Sequence, residues 1–377
     1  MRIAILTLPL HTNYGGILQA YALQTVLERM GHEVCLVEKR RKPVTLPLWK
    51  APLVYGKRML KNVKGRPFPL FYEQKVNREE PFVRQHTDKF ICRYIKRRIV
   101  GDFSEINESD YDAIVVGSDQ IWRPKYFNDN IERAFLDFTE GWDVRRIAYA
   151  ASFGTDEWEY TRAQTRRCGR LLKRFDAVSV REASGADLCR EHFGVEAKTM
   201  LDPTMLLEKE DYIRLFENAN TPKSNGTLLN YILDDTPEKT ALTNRIAKER
   251  GLVPFRVNSK VEDHLAPLAE RIQPPVAQWL RGFYDAEFVV TDSFHACVFS
   301  ILFNKPFLVV GNPDRGMPRF NSLLGAFGLE DRLITDPHAY KVCKDVDWMN
   351  VMAVLAEKKN STMFFLIDNL NTTDGKQ

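Results

Sequence analysis

Short apolar runs that stop abruptly at small or polar residues recur along this chain, and stretches with helical spacing lie between them. Arg2 to Leu8 is the first such run. Ile17 to Met30 follows with apolar residues at helical intervals, Gly31 closes it, and Val34-Cys35-Leu36-Val37 opens a second run. Strand, crossover helix and second strand form a βαβ unit, which obliges its strands to lie parallel. The pattern resumes further on. Tyr111 to Val116 ends in Gly117-Ser118-Asp119, and Arg146 to Ala150 in Ala151-Ser152-Phe153-Gly154. Asp176 to Val180 ends in Arg181-Glu182, ahead of a helix reaching His192.

Leu201-Asp202-Pro203-Thr204 ends this series, and the polar stretch from Lys209 to Gly226 separates it from another. The second series predicts strands over 227–233, 252–257, 287–291 and 307–310, with helices over 237–250, 276–284, 295–303 and 319–327. At 377 residues the chain exceeds the usual size of one core. The expected fold class is therefore α/β, with two Rossmann-like domains facing a cleft in the GT-B-like manner. Residues 1–205 form the first, on the acceptor side, with a basic insertion near 39–100; residues 206–345 form the second, on the donor side. The 346–377 tail carries a helical pattern over 348–370, and in such folds that helix returns to the first domain.

The net charge of +4 is modest, so the global field does not call for nucleic acid. The charge is unevenly placed. Ten Lys and Arg residues and no acid lie between Lys39 and Arg66, interleaved with Pro43, Pro47, Pro52, Trp49 and Tyr55. This reads as an irregular basic arm, either a solvated loop or a contact for an anionic acceptor or membrane surface. Six cysteines without a C-x-x-C pair suggest reduced thiols, with neither a disulfide framework nor a zinc site. The first residues lack the pattern of a signal peptide and no run suits a spanning helix, so a cytoplasmic protein is expected, at most peripheral to the inner membrane face.

Ligands in open α/β sheets bind at the carboxyl ends of the strands, so the residues there are the candidates for chemistry. Asn13, Tyr14 and Gly15, with Gly16, form a glycine turn at a helix start that allows close backbone approach and attracts an anion. Asp119 is placed to orient or deprotonate a sugar hydroxyl, Gln120 to hydrogen-bond one and Trp122 to stack on a sugar; alternatively Asp119 caps the following segment. Arg181 offers a fork for carboxylate or phosphate, or pairs with Glu182. Asp292, Ser293 and His295 stand where a strand enters a helix, a position suited to holding phosphate beside a proton-shuttling imidazole, or to simple capping. Lys305 and, on the 315–320 loop, Arg315 and Arg319 add cations to this half, unless Lys305 only closes a helix.

The blocks Asn13-Tyr14-Gly15-Gly16 with Leu18-Gln19-Ala20-Tyr21, Gly117-Ser118-Asp119-Gln120-Ile121-Trp122 and Ala151-Ser152-Phe153-Gly154 resemble those of bacterial polysaccharide pyruvyl transferases. So do Val180-Arg181-Glu182, Leu201-Asp202-Pro203-Thr204 and Thr291-Asp292-Ser293-Phe294-His295, in the family's order. The resemblance implies phosphoenolpyruvate as donor, a pyruvyl ketal on a hexose as product, a glycan or lipid-linked sugar as acceptor, and no cofactor. It makes His295 the active-site histidine, assisted by Asp119. Arg181 becomes a donor-binding residue, and Ser152 joins the acceptor side. Many members have an arginine two residues before that histidine, where this chain has Ser293; either the donor contacts then fall to Arg181, Arg319 or Lys305, or the donor differs. Two rival readings stand beside it: a nucleotide-sugar glycosyltransferase of the same architecture, and a non-catalytic glycan-binding protein.

Overall fold

The computed structural model describes residues 1–64, 68–127, 129–312, 316–342 and 344–370. Arg66, Arg315 and Cys343 therefore lie outside the described residues. The first part of the chain runs β1 (Arg2–Leu6), α1 (Tyr14–Arg29), β2 (Glu33–Lys39), α2 (Ala51–Val63), α3 (Tyr72–Val83), α4 (Gln85–Tyr94), β3 (Arg97–Val100), β4 (Ala113–Val116), β5 (Arg145–Ala151), α5 (Arg162–Leu172), β6 (Ala177–Val180), α6 (Ala183–Leu188) and β7 (Lys198–Thr199). After α7 (Lys209–Asn218) come β8 (Leu228–Tyr231), α8 (Pro237–Arg250), β9 (Pro254–Phe255), α9 (Leu268–Arg271), α10 (Val276–Asp285), β10 (Phe288–Thr291), α11 (Phe294–Leu302), β11 (Phe307–Val310), α12 (Met317–Phe327), β12 (Leu333–Ile334) and α13 (Trp348–Leu370).

The strands form two sheets in which every described pairing is parallel. Seven are ordered β3-β2-β1-β4-β5-β6-β7 and five β12-β11-β10-β8-β9. The first order reverses direction at β1, as in a dinucleotide-fold sheet, and places its switch point between β1 and β4. The central strands β4, β8, β10 and β11 are buried throughout and β1 at all but Arg2, with mostly apolar residues, as parallel sheets covered by helices require. The fold class is thus two parallel-sheet α/β halves, as the alternation of runs requires.

One apolar cluster spans both halves, from Ile3 and Tyr14 through Trp279 and Phe299 to Leu366. The hydroxyl of buried Tyr14 donates to Pro274 O at 2.7 Å, which ties the start of α1 to the second half. The last helix is bonded to the first half, where Arg145 donates to Asn369 O at 2.8 Å, and to the junction between the halves, where Lys359 donates to Leu207 O.

The basic arm is ordered differently from the expectation. Residues 51–63 form α2, with Pro52 in its first turn, where a helix needs no donor from the residue and the fixed φ is already helical. Arg58 turns inward, bonded to Glu73 at 2.6 and 2.9 Å and to Leu70 O at 2.7 Å. Two further helices, α3 and α4, carry the chain back to the sheet edge. The described cysteines are unpaired.

Candidate functional site

β10 turns directly into α11, and β1 reaches α1 through the 7–13 loop, so both helices begin at the carboxyl edges of central strands. The two starts meet. His295, second residue of α11, lays its imidazole on Gly15, second residue of α1: a β-carbon at Gly15 would fall 2.0 Å from His295 Nδ1. Only glycine allows that approach. The N-terminal ends of a 16-residue and a 9-residue helix thus converge on one side chain. Each end is equivalent to roughly half a positive charge, and together they make the seam between the halves attractive to an anion. Asn13 caps α1 through Gly16 N, whereas Ser293 at the head of α11 makes no side-chain capping bond, leaving first-turn N–H groups of α11 available.

Beneath the imidazole lies a buried ion cluster. Asp202 Oδ2 accepts from Arg181 at 2.8 Å and from Ser118 Oγ at 3.3 Å, and stands 3.5 Å from His295 Nε2. That last separation is an electrostatic contact rather than a formed hydrogen bond, and Nε2 has no hydrogen-bond partner among the described residues. Asp202 Oδ1 is held by the backbone and hydroxyl of Thr204. Burial would push the Asp202 carboxyl up, but His295, Arg181 and Thr204 outweigh it and hold it well below the usual carboxylate range. Arg181 also reaches Asp119 Oδ1 at 3.5 Å. Burial works against the Arg181 cation, and Asp202, Asp119 and Glu182 more than compensate.

Arg319, half-buried in α12, completes the group. Its guanidinium and that of Arg181 face the same Phe294 ring, 5.6 and 4.5 Å from the centroid. Loss of hydration, and then repulsion from Arg181, pull Arg319 down to about 10. It remains a cation at neutral pH. The Nε atoms of both arginines lack a partner among the described residues. Glu182 pairs with neither; its Oε1 accepts from Ser152 Oγ, Phe153 N and Gly154 N and so ties the β5 and β6 ends together.

Two cavities adjoin this cluster. One of about 130 Å³ touches Arg181, Asp202 and Phe294 from the α12–α13 side. The other, of about 670 Å³, opens along the carboxyl ends of β1 and β2, with Lys39, Arg41 and Lys42 on one wall and His264 and Arg271 of the second half on another. Thr7 in its floor donates to Ser118 O, which links it to the ion cluster.

The structure brings together His295, Asp119, Arg181, Arg319, Ser293 and Gly15 of the residues singled out from sequence. Gln120 is nearby, beside Gly154 and 3.5 Å from Arg123. Others are corrected. Trp122 is fully buried, stacked on Phe135 and bonded to Ala134 O, so no sugar can lie on it. Tyr14 and Ser152 are buried with their hydroxyls engaged, and the Asn13 side chain serves as a cap. Asp292 is occupied by Leu233 N, Asp234 N and Lys239, clamping the β8 loop. Lys305 lies beyond the far end of α11 from His295, bonded to Tyr284 O. Asp202 is the residue sequence reasoning missed as a site residue; a lone Asp-Pro after an apolar run reads as punctuation. Among the described residues no group of three or more His, Cys, Asp or Glu side chains is placed to hold a metal.

Fold and cluster together define a two-sheet α/β protein with an anion-attracting seam. The polysaccharide pyruvyl transferase family model matches residues 13–315, and the chain belongs to that family. No curated protein matches it. Among solved structures, UDP-GlcNAc 2-epimerase from Neisseria meningitidis is similar over 99% of this chain and 100% of its own, at 9% identity and TM-score 0.49. The UDP-GlcNAc 2-epimerase of Methanocaldococcus jannaschii is similar over 99% and 100%, at 9% and 0.46. A glycosyltransferase of Rickettsia africae is similar over 99% of both chains, at 9% and 0.44.

Proposed function

We propose that this chain transfers the enolpyruvyl group of phosphoenolpyruvate to a hexose of a cell-surface glycan or its precursor, closing a pyruvyl ketal in the cytoplasm. The observation that carries this reading is the His295 imidazole at the meeting of two helix starts, beside Arg181 and Arg319, in a chain of this family.

The chemistry needs no redox step. A proton goes to the methylene carbon of the donor, and the adjacent carbon gains oxocarbenium character. One sugar hydroxyl adds there, phosphate leaves, and a second hydroxyl closes the ketal. Of the two hydroxyl protons, one restores the acid and the other leaves with phosphate. His295 is the proton carrier, held from its Nε2 side by the Asp202 carboxylate. Arg319 and the first-turn N–H groups of α11 face the donor's charge, and Arg181, already bonded to Asp202 and Asp119, fixes the geometry of both acids. Asp119 is the candidate to take the hydroxyl proton. His295 is only 6% exposed, so the donor reaches it when the halves part at the Gly15 contact.

The test is phosphate release from phosphoenolpyruvate in the presence of galactose, mannose, glucose and glucuronic acid glycans. Release with one acceptor and not without it supports the reading. No release with any of them, together with nucleoside diphosphate release from a nucleotide sugar, overturns it.

A further inference from the structure

The 48–64 segment carries a concentration of exposed apolar side chains among the described residues. Leu48 is 90% and Val63 85% exposed, and Trp49, Leu53, Met59 and Leu60 are also exposed. At about 100° per residue, Leu53, Gly56, Met59, Leu60 and Val63 of α2 share one flank of about 120°. Lys57, Lys61 and Lys64 occupy the adjoining flank, and all three face solvent. The remaining flank holds the helix to the protein through the Arg58–Glu73 ion pair and the Tyr55–Phe71 ring contact. The helix is therefore fixed in place with its apolar face turned outward.

We propose that α2 lies in the plane of an anionic membrane surface, its apolar flank in the acyl boundary and its lysines on the headgroups. With 13 residues α2 is too short to span a bilayer, which takes about 20, and no described helix is long and apolar enough to do so. Three charge observations select anionic lipid as the occupant. No acid interrupts Lys39 to Arg66. The lysines line one edge of the apolar stripe, where a helix lying in the interface meets headgroups. Lys50 stands 4.6 Å from the exposed Trp49 ring at the helix head, an amphipathic pair suited to the same depth. The segment also frames the larger cavity: Lys39 to Lys42 and Val44 precede the helix and Tyr72 follows it, and all line that space. A sugar carried on a lipid phosphate would enter there. The lipid-linked acceptor rests on the pyruvyl-transfer reading; the membrane contact does not.

Cosedimentation of the full chain with phosphatidylcholine vesicles, with and without phosphatidylglycerol, tests this. Binding is expected to the anionic vesicles, weakening as salt rises. Each Lys57→Gln, Lys61→Gln or Lys64→Gln substitution is expected to weaken it by about fivefold. Leu53→Glu with Leu60→Glu should weaken it by about tenfold or more while leaving phosphate release with a soluble acceptor unchanged. Absence of binding to anionic vesicles, or equal binding by these variants, overturns the proposal. A concentration-dependent dimer that forms without vesicles and is lost in the leucine variant also overturns it, assigning the face to a second copy. Because vesicle binding requires no catalysis, failure here and failure of the pyruvyl-transfer reading are separate results.

Discussion

The ion cluster at the seam and the α2 segment are both rich in basic residues, and they use them in opposite ways. Around His295, each cation is buried or half-buried and held by a named partner: Arg181 by Asp202 and Asp119, and both arginines against Phe294. Along α2, only Arg58 is buried and ion-paired, and Lys57, Lys61 and Lys64 are exposed, with Lys61 5.3 Å from the Phe68 ring. Position accounts for the contrast. A buried charge must be matched by geometry, because desolvation is expensive, and so it can serve as a fixed part of a site. An exposed lysine contributes a field that depends on number and sign, and its exact rotamer matters little.

The strongest way to break this contrast is His295→Ala. Loss of the proposed proton carrier should lower acceptor-dependent phosphate release by about 10²–10⁴-fold, with an unchanged circular dichroism spectrum. Asp202→Ala attacks the same cluster through stability. It leaves the Arg181 cation with the longer Asp119 contact and the field of Glu182, and urea unfolding should show a loss of about 3–5 kcal/mol. Gly15→Ala forces the imidazole to move, since the new carbon would sit 2.0 Å from it. A displacement of that kind should reduce turnover by about 100-fold with a much smaller change in stability.

Acid unfolding sharpens the comparison further. Asp202 is held far below its ordinary value, so in acid the unfolded chain takes up the proton first. Its contribution is complete above the unfolded value of about 4 and is lost as pH falls through the lower folded value. Asp202→Asn should therefore flatten the acid limb of a stability–pH curve. The smallest effect belongs to α2: a β-carbon at Gly56 would meet nothing within 4 Å, so Gly56→Ala should stabilise the helix by up to about 1 kcal/mol and leave turnover untouched.

What was legible in the sequence follows the same division between local and distant causes. The central strands of both sheets could be read because a parallel strand buried on both faces needs a continuous apolar run, and such runs are visible one at a time; the short, partly exposed edge strands β3, β7 and β12 carry no such run and were not read. The helix starts at Gly15 and His295 were legible for the same reason. Their meeting was not, because it depends on how two separately wound halves face one another. Asp202 went unmarked because its partners Arg181 and His295 come from distant segments. Trp122 misled because an aromatic beyond a strand end fits a sugar platform and a core equally well; the Phe135 and Phe153 rings that enclose it come from other loops. The order of α2 was hidden by Pro43, Pro47 and Pro52, which read as irregular chain until Pro52 is placed in a first helical turn.

The central claim is that His295, held between two helix starts, protonates phosphoenolpyruvate during transfer to a sugar. Mass spectrometry of the acceptor after incubation with uniformly ¹³C-labelled phosphoenolpyruvate tests it most directly. The account predicts an acid-labile labelled three-carbon unit on the sugar with the parent chain and its loss with His295→Ala. Equal labelling by the variant, or an acceptor that gains a hexose from a nucleotide sugar instead, would contradict it.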